Sequence, residues 1–506
     1  MESFPAEKPT VSNVESVSQT DNELQAHPKV NAPHTWHFTV KMMVLLNLCF
    51  MVFCGNLYGA GVSPGLAQLV QEFHSNYTEA SNIISYCLLT IGLGAWVWTP
   101  TAVVIGKRPV LVTSQLVFVA GSIWGSQATS MQSLLGSRIV GGLGAGAVQA
   151  VGPAVVGELF YEKDYSKAMA AYTLSLCLGS QLGNLIGGQL IAARGWQWHF
   201  KLLAILGGIN FITLLLFCPE TAYIQDIADN ANAADVDDDI RRHTDGKKQS
   251  AMKSLKQNLF YLRHPHVRGG GLRQWVLSFL LQIEYTFNPT VLLSSGMWGI
   301  SLAWVAGISV IQNPLFAAPP FNWSPAEIGN WAVTSTVGVV VAFPIAGPLT
   351  DFVSKQIGKR RGHHMPEHRL YTLILPFLVG STGLILFGYT YANGSYVGPA
   401  VGYAMQTSTL LLIPATILSY GVDSYPYDSA EVVSLMNAVT HLVPFGLIKT
   451  ASDWLERDGT RKMFLDMAII QWALIAGITV VLIFFGPFIR VQSHKIHAKY
   501  GAKRFL

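Results

Sequence analysis

An arginine and a histidine stand in this sequence where a membrane-crossing chain would place leucine. Arg138 lies in the run Arg138-Ile139-Val140-Gly141-Gly142-Leu143-Gly144, inside an otherwise apolar stretch. A guanidinium there costs about 3 kcal/mol or more unless it faces a polar interior. Arg138 is therefore either part of a polar pathway or a side chain snorkelling to the nearer membrane surface. Asn437 and His441 are one helical turn apart in another apolar stretch, hence on one face. Imidazole changes charge near neutral pH. His441 is thus a candidate for proton coupling, with Arg138, and Asn437 a candidate substrate contact. The alternative for His441 is a neutral ring bonded to a backbone carbonyl. Gln181, Asn56, Tyr86, Trp298 and Gln406 are further candidate substrate contacts inside apolar stretches, with Asn47, Gln149, Trp304 and Trp331 behind them. Tryptophans near stretch ends also serve as interface anchors.

Other chemistries lack their residues. An ATP-driven pump needs a Gly-x-x-x-x-Gly-Lys-Ser/Thr loop, and the sequence has none. It has no His-x-x-x-x-Asp pattern of a membrane acyltransferase either. His363, His364 and His368 come nearest to a metal set, but they sit in a basic loop without carboxylates at ligand spacing. The five cysteines (Cys49, Cys54, Cys87, Cys177 and Cys218) all fall in apolar stretches and read as small packing residues. No cofactor, metal or nucleic acid is expected, and no enzymatic activity.

The elements that must position these residues are set by composition. Of 506 residues, 50% are hydrophobic and only 12% charged, against about 25% charged in soluble domains. About 20 apolar residues cross a bilayer core as a helix. Twelve such stretches occur, at 42–62, 80–102, 109–127, 134–157, 168–192 and 201–218, then 289–311, 327–349, 370–389, 397–420, 431–450 and 464–486. The expected fold is an all-α polytopic membrane protein with twelve transmembrane helices in two six-helix halves. Residues 1–40 read as a disordered cytosolic tail, 41–218 as the first bundle and 219–288 as a cytosolic linker whose end forms a short amphipathic surface helix. Residues 289–486 read as the second bundle and 487–506 as a basic cytosolic tail.

Charge placement orients the chain. Lys107, Arg108, the linker run from Arg241 to Lys256, the loop from Lys355 to Arg369 and the C-terminal tail put Lys and Arg on one side. The loops 63–79, 312–326 and 390–396 carry neither. Lysine and arginine accumulate on the cytosolic side, so both termini are expected there. Sequons at Asn76, Asn322 and Asn393 all fall in the opposite loops, which suits N-glycosylation along a eukaryotic secretory route. A weak repeat relates Gly106-Lys107-Arg108 to Gly358-Lys359-Arg360, half a chain apart. Two repeated halves place a substrate site at their interface near mid-membrane.

Several motifs bear a family resemblance. The loop after the second stretch keeps Gly106, Lys107 and Arg108, with Val103 and Val104 where an acidic and a basic residue are usual. It resembles the hallmark between helices two and three of the major facilitator superfamily, a conformational latch. Gly347-Pro348-Leu349-Thr350-Asp351 is similar to its second-half counterpart. Arg138, Gly142 and Gly144 match the helix-four pattern of drug–proton antiporters that is linked to proton coupling. Gly179, Gly183, Gly187 and Gly188 resemble the antiporter signature of helix five, with Asn184 in place of its proline. Pro219-Glu220-Thr221, Pro366-Glu367-His368-Arg369-Leu370 and Asp423-Ser424-Tyr425-Pro426 complete the likeness to the fungal twelve-helix drug–proton antiporter branch. It runs from about residue 40 to 490.

The resemblance implies a proton-coupled secondary transporter of a small organic solute, working by alternating access; a monomer is expected, and the plasma membrane is the default where no retention signal is visible. Efflux of a drug, toxin or secondary metabolite is the expected direction. Uptake of a nutrient, amine or organic acid is the alternative, and a membrane enzyme or transceptor a remote one. The partners expected are solute, protons and lipid.

Overall fold

Lipid offers the backbone no hydrogen-bond partner, so apolar stretches of this length must satisfy their own amides as helices. The computed structural model describes residues 33, 36–160, 162–221, 271–362, 365–425 and 429–501, and no strand occurs among them. The first half comprises α1 Phe38–Ala60, α2 Tyr77–Ile105, α3 Lys107–Ser126, α4 Met131–Leu159, α5 Glu162–Arg194 and α6 Trp196–Phe217. The second comprises α7 Pro289–Phe316, α8 Val333–Arg361, α9 Ile374–Ala392, α10 Val397–Ser424, α11 (Ser429–Thr440, continued by 442–458) and α12 (460–501).

Among the described residues, ten segments are long and apolar enough to cross a membrane. One of these, Val432–Arg490, is 59 residues long, about twice what a bilayer core needs. Gly459 breaks it with φ 71° and ψ 165°, which separates α11 from α12. The helix outside the ten is α5, whose polar residues point inward rather than to lipid: Gln181 and Asn184 are each 1% exposed. Twelve crossings follow, as the sequence predicts. The helices overrun the expected spans at most ends, because hydrogen bonding continues past the apolar core into the interface. The α12 helix runs to Gly501, through much of the stretch expected to be a tail.

Local signals set the boundaries. The Asn76 side chain accepts from the Glu79 amide at 2.8 Å to start α2, and Asn288 accepts from Thr290 to start α7. Ser324 and Glu327 form a capping box on the short helix Pro325–Trp331, which leads into α8. Gly106 turns the chain between α2 and α3 with φ 102°, and a Cβ there would meet the Glu220 carboxylate at 2.5 Å. The second Gly-Lys-Arg triplet is different. Gly358, Lys359 and Arg360 lie within α8, and Gly362 makes the turn, so the two triplets are not equivalent backbone.

Within the first half α1 packs on α5, α2 on α4, and α3 on α4 and α6; within the second α8 and α9 pack on α10, and α9 on α12. The halves meet where α2 lies along α11 and where α5 lies along α8 and Pro325–Trp331. Large apolar side chains such as Ile212, Val341, Ile374 and Phe484 are exposed around the outside. That surface suits lipid and not water. An even number of crossings puts the start of α1 and the end of α12 on one face, called here the terminal face; the other is the distal face.

Most of the N-terminal tail, linker residues 222–270 with their acidic run and basic cluster, His363, His364, Pro426 and 502–506 lie outside the described residues. The described end of the linker is the helix Gly271–Thr286, whose Trp275 donates to Thr101 of α2 at 3.0 Å.

Candidate functional site

Between the halves lies a cavity of about 60 Å³, room for roughly four waters. Asn56 of α1, Ser180, Gln181 and Asn184 of α5, Trp298 and Ser309 of α7, Tyr403 of α10 and His441 of α11 supply its polar and aromatic lining. Leucine, isoleucine, valine and alanine supply most of the rest. Drug-sized solutes fill pockets of about 300–1,000 Å³, so this state is contracted around its site.

His441 sits at an interruption of α11, between Thr440 and Leu442. Its Nδ1 lies 2.8 Å from the Asn437 carbonyl oxygen. A carbonyl only accepts, so Nδ1 carries the hydrogen. Neutral His441 therefore keeps its lone pair on Nε2. Gln181 is likewise an acceptor, since its Oε1 is buried without a partner.

Hydrogen bonds between the halves close the distal side. Ser63, just beyond α1, donates to the Ser309 carbonyl and accepts at its own carbonyl from Asn313. Ser309 in turn donates to Asn184 at 3.2 Å, and Gln189 donates to Asn330 at 2.7 Å. Close backbone approach makes these bonds reachable. A Cβ on Gly187 would strike the Gly61 carbonyl, and one on Gly188 would meet the Pro325 carbonyl at 2.5 Å. Gly179 and Gly183 face α1 in the same way as Gly187. The helix-five glycines therefore divide between two contacts, α1 within the half and Pro325–Trp331 across it. On the terminal side Ser434 of α11 donates to the Ala150 carbonyl of α4 at 2.5 Å.

Arg138 is fully buried and does not line the cavity. Its guanidinium donates to the carbonyls of Tyr58, Gly59 (2.7 Å) and Ile83 (3.1 Å) and lies 4.3 Å over the Tyr58 ring. Tyr58 and Gly59 end α1, where helical carbonyls lack amide partners. Arg138 thus ties α4 to the end of α1 and to α2, and snorkelling does not describe it. Beside it lies His199, buried, with neither ring nitrogen hydrogen-bonded. His199 falls just outside the apolar stretch 201–218, and no spacing signal marked it.

Ion pairs gather at the terminal face. Lys107 pairs with Glu158 at 2.5 Å, so Glu158 is not the free solvated charge that its place at a helix end suggests. The Glu220 carboxylate accepts from the Lys107 and Arg108 amides at 3.0 and 3.1 Å, an anion on the N-terminus of α3. Glu158 and Glu220 together supply the negative charge missing at Val103. In the second half Arg369 bridges Asp351 at 2.8 Å and Asp423 at 2.6 Å, and Arg490 pairs with Glu367.

Of the expected substrate contacts, Asn56, Gln181 and Trp298 line the cavity. Asn437 does not: its amide bonds the Val433 carbonyl of its own helix. Gln406 is turned into the second half, donating to Gln471 at 3.1 Å. Tyr86 packs edge-on against Phe445 of α11. Ser180, Asn184, Ser309 and Tyr403 are lining residues that sequence reasoning missed; only the departure from the helix-five signature pointed at Asn184. Asn76, Asn322 and Asn393 are exposed on the distal face.

Two six-helix halves around a cavity that both of them line are the build of a membrane transporter. The model of the Major Facilitator Superfamily matches residues 48–446, and the chain belongs to that family. It is 26% identical to the efflux pump FUBT of Fusarium oxysporum, over 81% of this chain and 65% of that protein. It is 20% identical to the MFS antiporter QDR3 of Candida albicans, over 80% of this chain and 72% of that protein. Its fold is similar to the partially occluded inward-open form of the xylose transporter XylE from E. coli, with TM-score 0.62, 12% identity and coverage of 88% and 98%.

Proposed function

We propose that this protein exports a small organic solute in exchange for protons. One observation carries the reading: a titratable imidazole, its Nδ1 hydrogen committed to a backbone carbonyl, lines a cavity that belongs to both halves. His441 carries the proton. Arg138 serves coupling by holding the end of α1, from which Ser63 reaches the distal seal. On the terminal side the Ser434–Ala150 bond joins the halves and parts when that side opens, while Lys107–Glu158 and Asp351–Arg369–Asp423 each brace one half there. The efflux pump and the antiporter among its relatives support the direction. The terminal face is cytosolic, with the three sequons outside, in keeping with the Lys/Arg distribution; the plasma membrane is the proposed site.

Sealed vesicles holding the purified protein test this with labelled drugs, organic acids and polyamines under an imposed pH gradient. Solute accumulating on the acidic side, and released by a protonophore, is the expected result. Accumulation on the alkaline side would make the protein an uptake system, and gradient-insensitive equilibration would make it a facilitator.

A further inference from the structure

We infer that the transported solute is uncharged and carries an O–H or N–H donor, and that permanent cations are excluded; this rests on the cavity being the transport site. The cavity is lined by nineteen residues, and none is Asp, Glu, Lys or Arg. His441 is the lining group that titrates between neutral and positive. The lining is therefore neutral or positive and never negative. A cation entering this apolar space would give up its hydration and find no counter-charge. Protonated His441 would repel it. The ring of Trp298 gives a cation only a quadrupole in place of a carboxylate.

The hydrogen-bonding groups point to the same class. Neutral His441 offers the Nε2 lone pair, and Gln181 offers an unpartnered Oε1. Both are acceptors, the Tyr403 hydroxyl that shares the lining can accept as well as donate, and a buried acceptor gains most from a donor on the solute. Proton and solute donor then compete for one lone pair. Binding of either displaces the other, and that competition is the exchange an antiporter needs. No carboxylate has to be neutralised in the cycle. A carboxylate solute would behave oppositely, because it would bind best with the protonated ring and travel with the proton.

Three labelled probes on one carbon skeleton separate these cases: 4-phenylbutanol, 4-phenylbutyltrimethylammonium and 4-phenylbutyrate. Equilibrium binding to the full-length purified protein is measured above empty-micelle background at pH about 8 and about 4.5, which bracket the wide range histidines take in proteins. The alcohol should bind at least about tenfold more tightly than the ammonium at the higher pH, and lose about tenfold at the lower, a shift of about 1.4 kcal/mol. His441→Gln should abolish the pH effect. Gln181→Glu should create ammonium binding, which also shows that the probes reach the cavity. Ammonium binding as tight as the alcohol in the unaltered protein, no alcohol binding, or butyrate binding that strengthens on acidification would each overturn the inference. Alcohol preference without any pH effect would leave the solute class standing and sink proton coupling through His441.

Discussion

Two side chains, His441 and Arg138, carry most of the proposed mechanism. Replacing His441 with Gln keeps a group of similar size and removes the titration. Gradient-driven flux should fall at least about tenfold and lose its pH dependence, while the amount of folded protein is unchanged. Equal activity at all pH values in the unaltered protein would point to a structural histidine. Arg138 makes a different prediction. Its three carbonyl partners would be left unsatisfied in Arg138→Ala, at a cost of about 1–3 kcal/mol each before relaxation. Arg138→Lys should rescue little, because one ammonium cannot reproduce a planar fork reaching α1 and α2. Thermal unfolding and flux measured together distinguish a loss of fold from a loss of coupling. The intramembrane charge was legible in the sequence. Its partners were not, because backbone carbonyls at the end of α1 leave no residue-type signature.

At the scale of elements, helix approach decides what can close. Gly188→Leu would drive a side chain into the Pro325 carbonyl and the Gly329 backbone. Overpacking of this kind costs about 1–3 kcal/mol. Flux should drop sharply, and distal accessibility should rise, read as faster labelling of a cysteine placed at Ser309. Unchanged labelling would show that α5 does not govern the distal seal. Glu220→Gln should weaken the N-terminus of α3 by about 1 kcal/mol, seen as a lower unfolding temperature without loss of solute binding. Helix existence and order were readable from apolar run length alone. The break at His441 was not foreseen, although Pro444, three residues on, has no amide hydrogen to give the Thr440 carbonyl. Nor was the inward turn of Gln406, because which face of a wholly buried helix meets the cavity depends on neighbours distant in sequence. The Gly-Lys-Arg repeat misled for a related reason: three residues fix a composition, and whether the helix stops there depends on a carboxylate such as Glu220.

The whole molecule is a pair of bundles joined by α2–α11 and α5–α8 around a cavity of about 60 Å³. In the proposed exchange the distal hydrogen bonds through Ser63 and the terminal contact of Ser434 break in turn. Cysteines replacing Ser63 and Asn313 should form a disulfide that blocks flux, and reduction should restore it. Free flux in the oxidised form would show that the distal side need not open. Glycosylation is checked at the same scale: an endoglycosidase shift lost on replacing Asn76, Asn322 and Asn393 together would put the distal face outside.

The most direct measurement is proton movement driven by the solute. The protein is reconstituted in sealed vesicles containing a pH-sensitive dye, with no pre-formed pH gradient, and an uncharged donor-bearing solute that the protein binds is added on one side. An antiporter should move protons against the solute and change the internal pH, and His441→Gln should abolish that signal while leaving solute binding measurable. Solute movement with no proton movement, or proton movement in the same direction as the solute, would contradict exchange at His441.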